Sequence, residues 1–95
     1  MIYVDDPMPI GGRFNNWCHM WSSLTDVSLE AAHGELHDMA ERIGLSVSHY
    51  QQSWGKTGYF PHYDLSPKHR RKALANGAEY KSLRVWVAER MAAQE

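Results

Sequence analysis

The sequence predicts an α/β fold, a small single-layer sheet of about three to four short strands packed by about three helices. Two observations carry that prediction. Short β-branched or aromatic runs alternate along the chain with stretches whose apolar residues recur every three or four positions. The helical stretches also have clear starts and stops, Ser28 to Gly44 and Ser66-Pro67 to Asn76-Gly77. Helices interleaved with strands bury their stripes on a sheet, so they cover at least one face of it.

Ile2-Tyr3-Val4 reads as the first strand, ended by Asp5-Asp6-Pro7. Residues 7–16 carry two prolines, two glycines and two asparagines, a loop with Gly11-Gly12-Arg13 at its middle. Trp17 to Trp21 is the second strand. Ser28 caps the first helix, whose stripe is Leu29, Ala32, Leu36, Met39, Ala40 and Ile43, and Gly44 sits where a C′ glycine belongs. Residues 45–60 carry weaker signals: Val47 suggests a short extended piece and Ser53 to Gly58 a loop. Tyr59 to Leu65 is extended, because Pro61 disfavours helix before it. Ser66 then caps a second helix with proline at its first position. Ala78 to Lys81 fits one more strand, and Ser82 starts a last helix with the stripe Leu83, Trp86, Val87 and Met91.

Ninety-five residues suit a single domain, 1–95, and a chain of this size buries roughly 60–70% of its unfolded surface. A hydrophobic fraction of 43% and a charged fraction of 22% are those of an ordinary globular protein. The first residues do not read as a signal peptide, and no apolar run approaches the roughly 18 residues of a membrane span. Cys18 is the only cysteine, so no internal disulfide can form. The expected setting is cytoplasmic, with no membrane partner.

A net charge of −1 excludes a generally basic nucleic-acid binder. The basic run Lys68-His69-Arg70-Arg71-Lys72 is too short for a surface that tracks a nucleic-acid backbone. Six histidines and four tryptophans leave abundant imidazole and ring surface for a small ligand.

Asp5 and Asp6 stand just past a strand end, where ligands bind in open α/β sheets. Paired carboxylates there can hold a hard cation, act as a base or bind a ligand's hydroxyls; equally, one can cap the turn while the other is solvated. In the second strand, alternation puts Cys18 and Met20 on one face and Trp17, His19 and Trp21 on the other. Cys18 and His19 therefore cannot chelate one ion. Cys18 is assigned to the core and His19 to the site. His33 and His37 stand four apart on a helix, a spacing that two metal ligands can use. Yet Gly34 stands where the zincin HExxH motif has glutamate, and a third ligand is not evident.

His62, Tyr63 and Asp64 deliver an imidazole, a phenol and a carboxylate immediately before the Ser66-Pro67 helix start. Free N–H groups at that end favour an anion. Arg70 or Arg71 could clamp a phosphate bidentately, against a plain alternative in which the basic turn is a solvated face. Arg13, beside two glycines, could likewise approach an anion or simply form a turn.

Taken in order, Tyr3-Val4-Asp5-Asp6, Trp17-Cys18-His19-Met20, Leu29-Glu30 with Glu35-Leu36-His37, Arg42-Ile43-Gly44, His62-Tyr63-Asp64-Leu65, Arg70 or Arg71, and Gly77-Ala78 resemble the shared motifs of an uncharacterised family of small bacterial and phage proteins, a domain of unknown function. The resemblance covers nearly the whole chain and implies no particular activity. It does imply that His19, His37 and His62 belong to the shared pattern, rather than His33, His49 and His69. The chain departs from the family in residues 46–60, which carry Trp54.

Three functions follow. In the first, Asp5, Asp6, His19, His37, His62 and Asp64 meet with Arg13, Tyr63 and Arg70 or Arg71 around a nucleotide or other phosphate-bearing ligand. His19, His62 and Asp64 would then carry phosphoester hydrolysis, through a histidine acid or base or a divalent metal. The phage association suggests host defence or nucleotide metabolism. In the second, the same pocket sequesters a small nucleotide without turnover. In the third, the tryptophans form a protein-interaction patch and His19, His62 and Asp64 lie far apart. A homo-oligomer is compatible with each.

Overall fold

A computed structural model describes residues 1–26, 28–53 and 59–93. Among them five strands form one sheet: β1 (Ile2–Val4), β2 (Cys18–Ser22), β3 (Tyr50–Ser53), β4 (Tyr59–Leu65) and β5 (Glu79–Tyr80). Their spatial order is β3-β4-β2-β1-β5, one strand more than the sequence suggested. Every pair is antiparallel except β1 with β5. Three α-helices accompany the sheet: α1 (Leu29–Arg42), α2 (Pro67–Ala75) and α3 (Leu83–Ala93). No helix among the described residues is long and apolar enough to cross a membrane.

The register sorts side chains onto two faces. Val4 pairs with Met20, Met20 with Tyr63, and Cys18 with Leu65. Paired residues share a face, so these form one apolar wall. Leu36, Met39 and Ala40 of α1, Ile43 just after it and Ala73 of α2 pack on that wall as the larger core. The caps hold as expected. Ser28 Oγ accepts the Ala31 N–H, Gly44 follows α1 with φ +86°, and Ser66 Oγ accepts the His69 N–H with Pro67 behind it.

The other face carries Tyr3, Trp21 and Phe60, closed over by Leu83 and Trp86 of α3. Tyr3 pairs with Trp21, and the row continues through His19, which pairs with Asp64. This second face is therefore aromatic at one end and polar at the other.

Two expectations change and one falls outside the described residues. β3 occupies part of the stretch where only Val47 suggested an extended piece, while Val47 itself lies in a 3-10 turn (Val47–His49). The loop expected at Ser53 to Gly58, and Trp54, lie outside the described residues apart from Ser53 at the end of β3. In α3 only Leu83 and Trp86 reach the sheet, whereas Val87 is 44% and Met91 64% exposed. The helix meets the sheet through its first turn, so the rest of its stripe has no wall to cover.

Candidate functional site

Asp5 is the residue where β1 stops pairing as a strand. Its N–H still donates to the His19 carbonyl at 3.2 Å, and its Oδ1 then accepts the His19 N–H at 2.6 Å. The side chain thus replaces the missing backbone acceptor and adds a rung to the ladder. The other oxygen, Oδ2, lies 2.7 Å from His19 Nδ1. A carboxylate only accepts, so Nδ1 donates, and neutral His19 carries its lone pair on Nε2. Both residues are buried.

His62 is fixed the same way by a different acceptor. Its Nδ1 donates to the Phe60 carbonyl at 2.7 Å, which again leaves the lone pair on Nε2. The two rings stand 5.7 Å apart, edge to face. Asp64 Oδ1 lies 3.6 Å from His62 Nε2 and 4.0 Å from His19 Nε2. Those separations are long for hydrogen bonds, so Asp64 acts on both rings as a nearby charge. Gln51 Nε2 donates to its other oxygen at 2.6 Å. Burial holds His62 below its ordinary pKa of 6.5, partly offset by the Phe60 carbonyl and Asp64, so His62 is neutral at pH 7.

Several other candidates stand apart from the two histidines. Cys18 faces the larger core, where burial and the Asp5 charge push its thiol up to about 12 against the pull of Arg70. It is a core residue, as alternation predicted, and its thiol stays protonated at neutral pH. Arg70 Nε donates to the Asp5 carbonyl at 3.1 Å, so it props the end of β1. Asp6 is exposed and accepts from the Tyr80 hydroxyl at 2.9 Å, and Arg71 is exposed on α2.

His37 and Tyr63 correct the expected constellation. They lie on the α1 side of the sheet, with Tyr63 OH and His37 Nδ1 2.7 Å apart and Tyr50 packed 4.7 Å from the His37 ring. Alternation along β4 turns Tyr63 away from His62 and Asp64, and α1 carries His37 to the same wall. His33 lies 6.0 Å from His37, ring to ring. Among the described residues, no group of three or more His, Cys, Asp and Glu side chains is arranged to hold a metal ion. Tyr63→Phe is therefore expected to cost about 1 kcal/mol of stability and to leave any activity of the His19–His62 face unchanged. Paired urea unfolding and activity assays check this, and a fall in activity larger than the fraction unfolded contradicts the assignment.

Three histidines link stability to pH. His37, His62 and His69 are all held below 6.5, chiefly by burial, with Lys72 and Lys68 adding to the effect at His69. Above 6.5 each is neutral, folded or unfolded. Below it the unfolded chain takes up these protons first, so the folded state loses stability as pH falls. The urea midpoint is expected to hold level from pH 8 to about 6.5 and to drop by about pH 5.5; a level midpoint throughout contradicts the placement of these rings.

Beside Asp64 opens a groove of about 470 Å³, walled by Arg13, Phe14, Trp17, His49 and Gln51. Of these the sequence singled out only Arg13 as a ligand group. Gln51 joins the site because it pairs with His62 in the β3–β4 ladder, and that register is not written in any local motif.

No curated protein and no solved structure matches this chain. The family model described as a protein of unknown function, DUF4031, matches residues 2–94, and so spans both halves of the Asp5–His19 and His62–Asp64 cluster. The chain belongs to the DUF4031 family.

Proposed function

We propose that the chain is a phosphoester hydrolase whose reaction runs on the His19–His62 pair, with a phosphate-bearing small molecule as substrate. One observation carries the reading. Two imidazoles on neighbouring strands are each anchored through Nδ1 to a fixed acceptor, and each turns Nε2 toward the same carboxylate, Asp64. Anchoring sets tautomer and direction in advance, as acid–base catalysis needs.

The roles divide by environment. His62, neutral at pH 7, takes a proton from water through Nε2 while the water oxygen bonds to phosphorus. The bond from phosphorus to the leaving oxygen breaks, and protonated His19 supplies that oxygen with a proton. The imidazolium form of His19 has the Asp5 carboxylate 2.7 Å from Nδ1. Asp64 favours the cation that forms on His62, and the resulting proton exchange resets the pair. A cytoplasmic setting suits this chemistry and the reduced, buried Cys18.

The test is turnover across cyclic and linear nucleotides and simple phosphodiesters, with and without EDTA. EDTA-insensitive hydrolysis that is lost in His19→Ala and His62→Ala supports the reading. Substrate recovered intact makes the site a binder that does not turn its ligand over. Hydrolysis abolished by EDTA replaces the paired-histidine step with metal chemistry.

A further inference from the structure

The groove beside Asp64 has features the acid–base reaction does not use. Its rim is the turn from Gly11 to Trp17, which is tightly tied. Gly11 and Gly12 take φ +74° and +73°, and Asn16 takes φ +63°, conformations that glycine and asparagine reach at least cost. Asn15 Oδ1 accepts the Gly11 N–H at 2.7 Å, and the Met8 carbonyl accepts the Asn16 N–H at 2.8 Å. The tied backbone therefore places Arg13 and Phe14 at the groove edge.

Those side chains are not covered by the fold. Phe14 is 48% exposed, although its ring is fixed edge to face on Trp17 at 4.9 Å. Arg13 is exposed, lies 5.5 Å over the Phe14 ring and makes no ion pair among the described residues. An aromatic ring with a guanidinium over it, both lining a cavity, form a platform on which a flat heterocycle can lie. The volume of about 470 Å³ is within the range of small-molecule sites, about 300–1,000 Å³. Gln51 and Asp64 close the far end with an amide and a carboxylate, and Asp64 is the residue shared with the histidine pair.

We infer that the groove formed by Arg13, Phe14 and Trp17 is a nucleobase subsite, and that the substrate is a nucleotide whose base stacks there while its phosphate reaches toward His19 and His62. Placing the phosphate at the histidine end rests on the hydrolase reading above; the base subsite rests on the groove itself. A sugar phosphate without a base fills only the histidine end. The base therefore adds affinity through stacking alone, and the platform residues govern that increment and nothing else.

Calorimetric titration of the full chain with AMP, GMP, CMP, UMP and ribose 5-phosphate tests this. At least one nucleotide is expected to bind about tenfold more tightly than ribose 5-phosphate. Phe14→Ala is expected to bring that nucleotide to within about twofold of the sugar phosphate, whose own affinity stays the same. Arg13→Ala, at an exposed position away from the core, should shrink the same increment and provides an independent check if Phe14→Ala disturbs the turn. The inference is overturned if no nucleotide exceeds ribose 5-phosphate, or if both variants keep the full preference. A base preference with no hydrolysis sinks the hydrolase reading and keeps the subsite. Hydrolysis of base-free phosphodiesters by the histidine pair with no base preference does the reverse.

Discussion

If the chain is the phosphoester hydrolase proposed, replacing His62 with alanine is expected to lower turnover by about 10²–10⁴-fold, the usual contribution of a positioned acid or base. His19→Ala should fall in the same range. His62 provides the sharper test because its environment sets a pH signature as well as a rate. Burial holds it below 6.5, so the neutral, basic form persists into mildly acidic solution. The acid limb of kcat/KM should therefore lie below pH 6.5, the pH at which an exposed histidine would already be half charged. That limb should vanish in His62→Ala. A His62→Ala variant that retains both rate and acid limb contradicts the proposed base.

Trp21→Ala is expected to cost about 3–5 kcal/mol, the range for deleting a large buried ring. Trp21 is fully buried, and its ring lies 5.9 Å from Tyr3, 6.0 Å from Phe60 and 6.1 Å from Trp86. Against a typical total of about 5–15 kcal/mol, such a loss unfolds a visible fraction of molecules at ambient temperature or brings them close to it. The indole also lacks a hydrogen-bond partner for Nε1 among the described residues. Trp21→Phe keeps much of the ring and removes that unpaired donor, so it should cost far less than the alanine change. Urea midpoints of the two variants decide the matter: equal losses contradict the view that ring volume, rather than the indole N–H, holds this cluster. Packing and function meet at Phe60, whose ring stacks on His62 at 5.1 Å and whose carbonyl anchors it. Trp21→Ala should therefore reduce activity beyond the fraction unfolded.

Local signals were strong where the chain marks its own boundaries. Ser28 and Gly44 frame α1, and Ser66-Pro67 starts α2, because capping chemistry involves only neighbouring residues. Strand alternation separated Cys18 from His19 correctly, since only the residue spacing is needed. The same rule applies to His62-Tyr63-Asp64. Three adjacent polar residues do not form one unit there, because the sheet turns Tyr63 away from the other two. His37 could not be placed from its helix alone, because the side of the sheet that α1 covers depends on topology. β3 was missed for a related reason: Gln51 and Gln52 have little strand preference, and the strand exists because β4 pairs with it. Asp5 and Asp6 looked equivalent in sequence, yet only Asp5 occupies the rung where β1 ends and a carboxylate can replace a backbone acceptor.

The most direct measurement of the central claim is a titration of the protein with a 5′-nucleotide while the ring nitrogens of its histidines are followed by NMR. Before ligand is added at pH 7.5, His62 should show a protonated Nδ1 and an unprotonated Nε2, the state its anchor imposes. On addition, the Nε2 signals of His19 and His62 should move together and saturate together, while His37, across the sheet against Tyr63, should stay in place. Saturable shifts at His37, with His19 and His62 unmoved, would contradict the account.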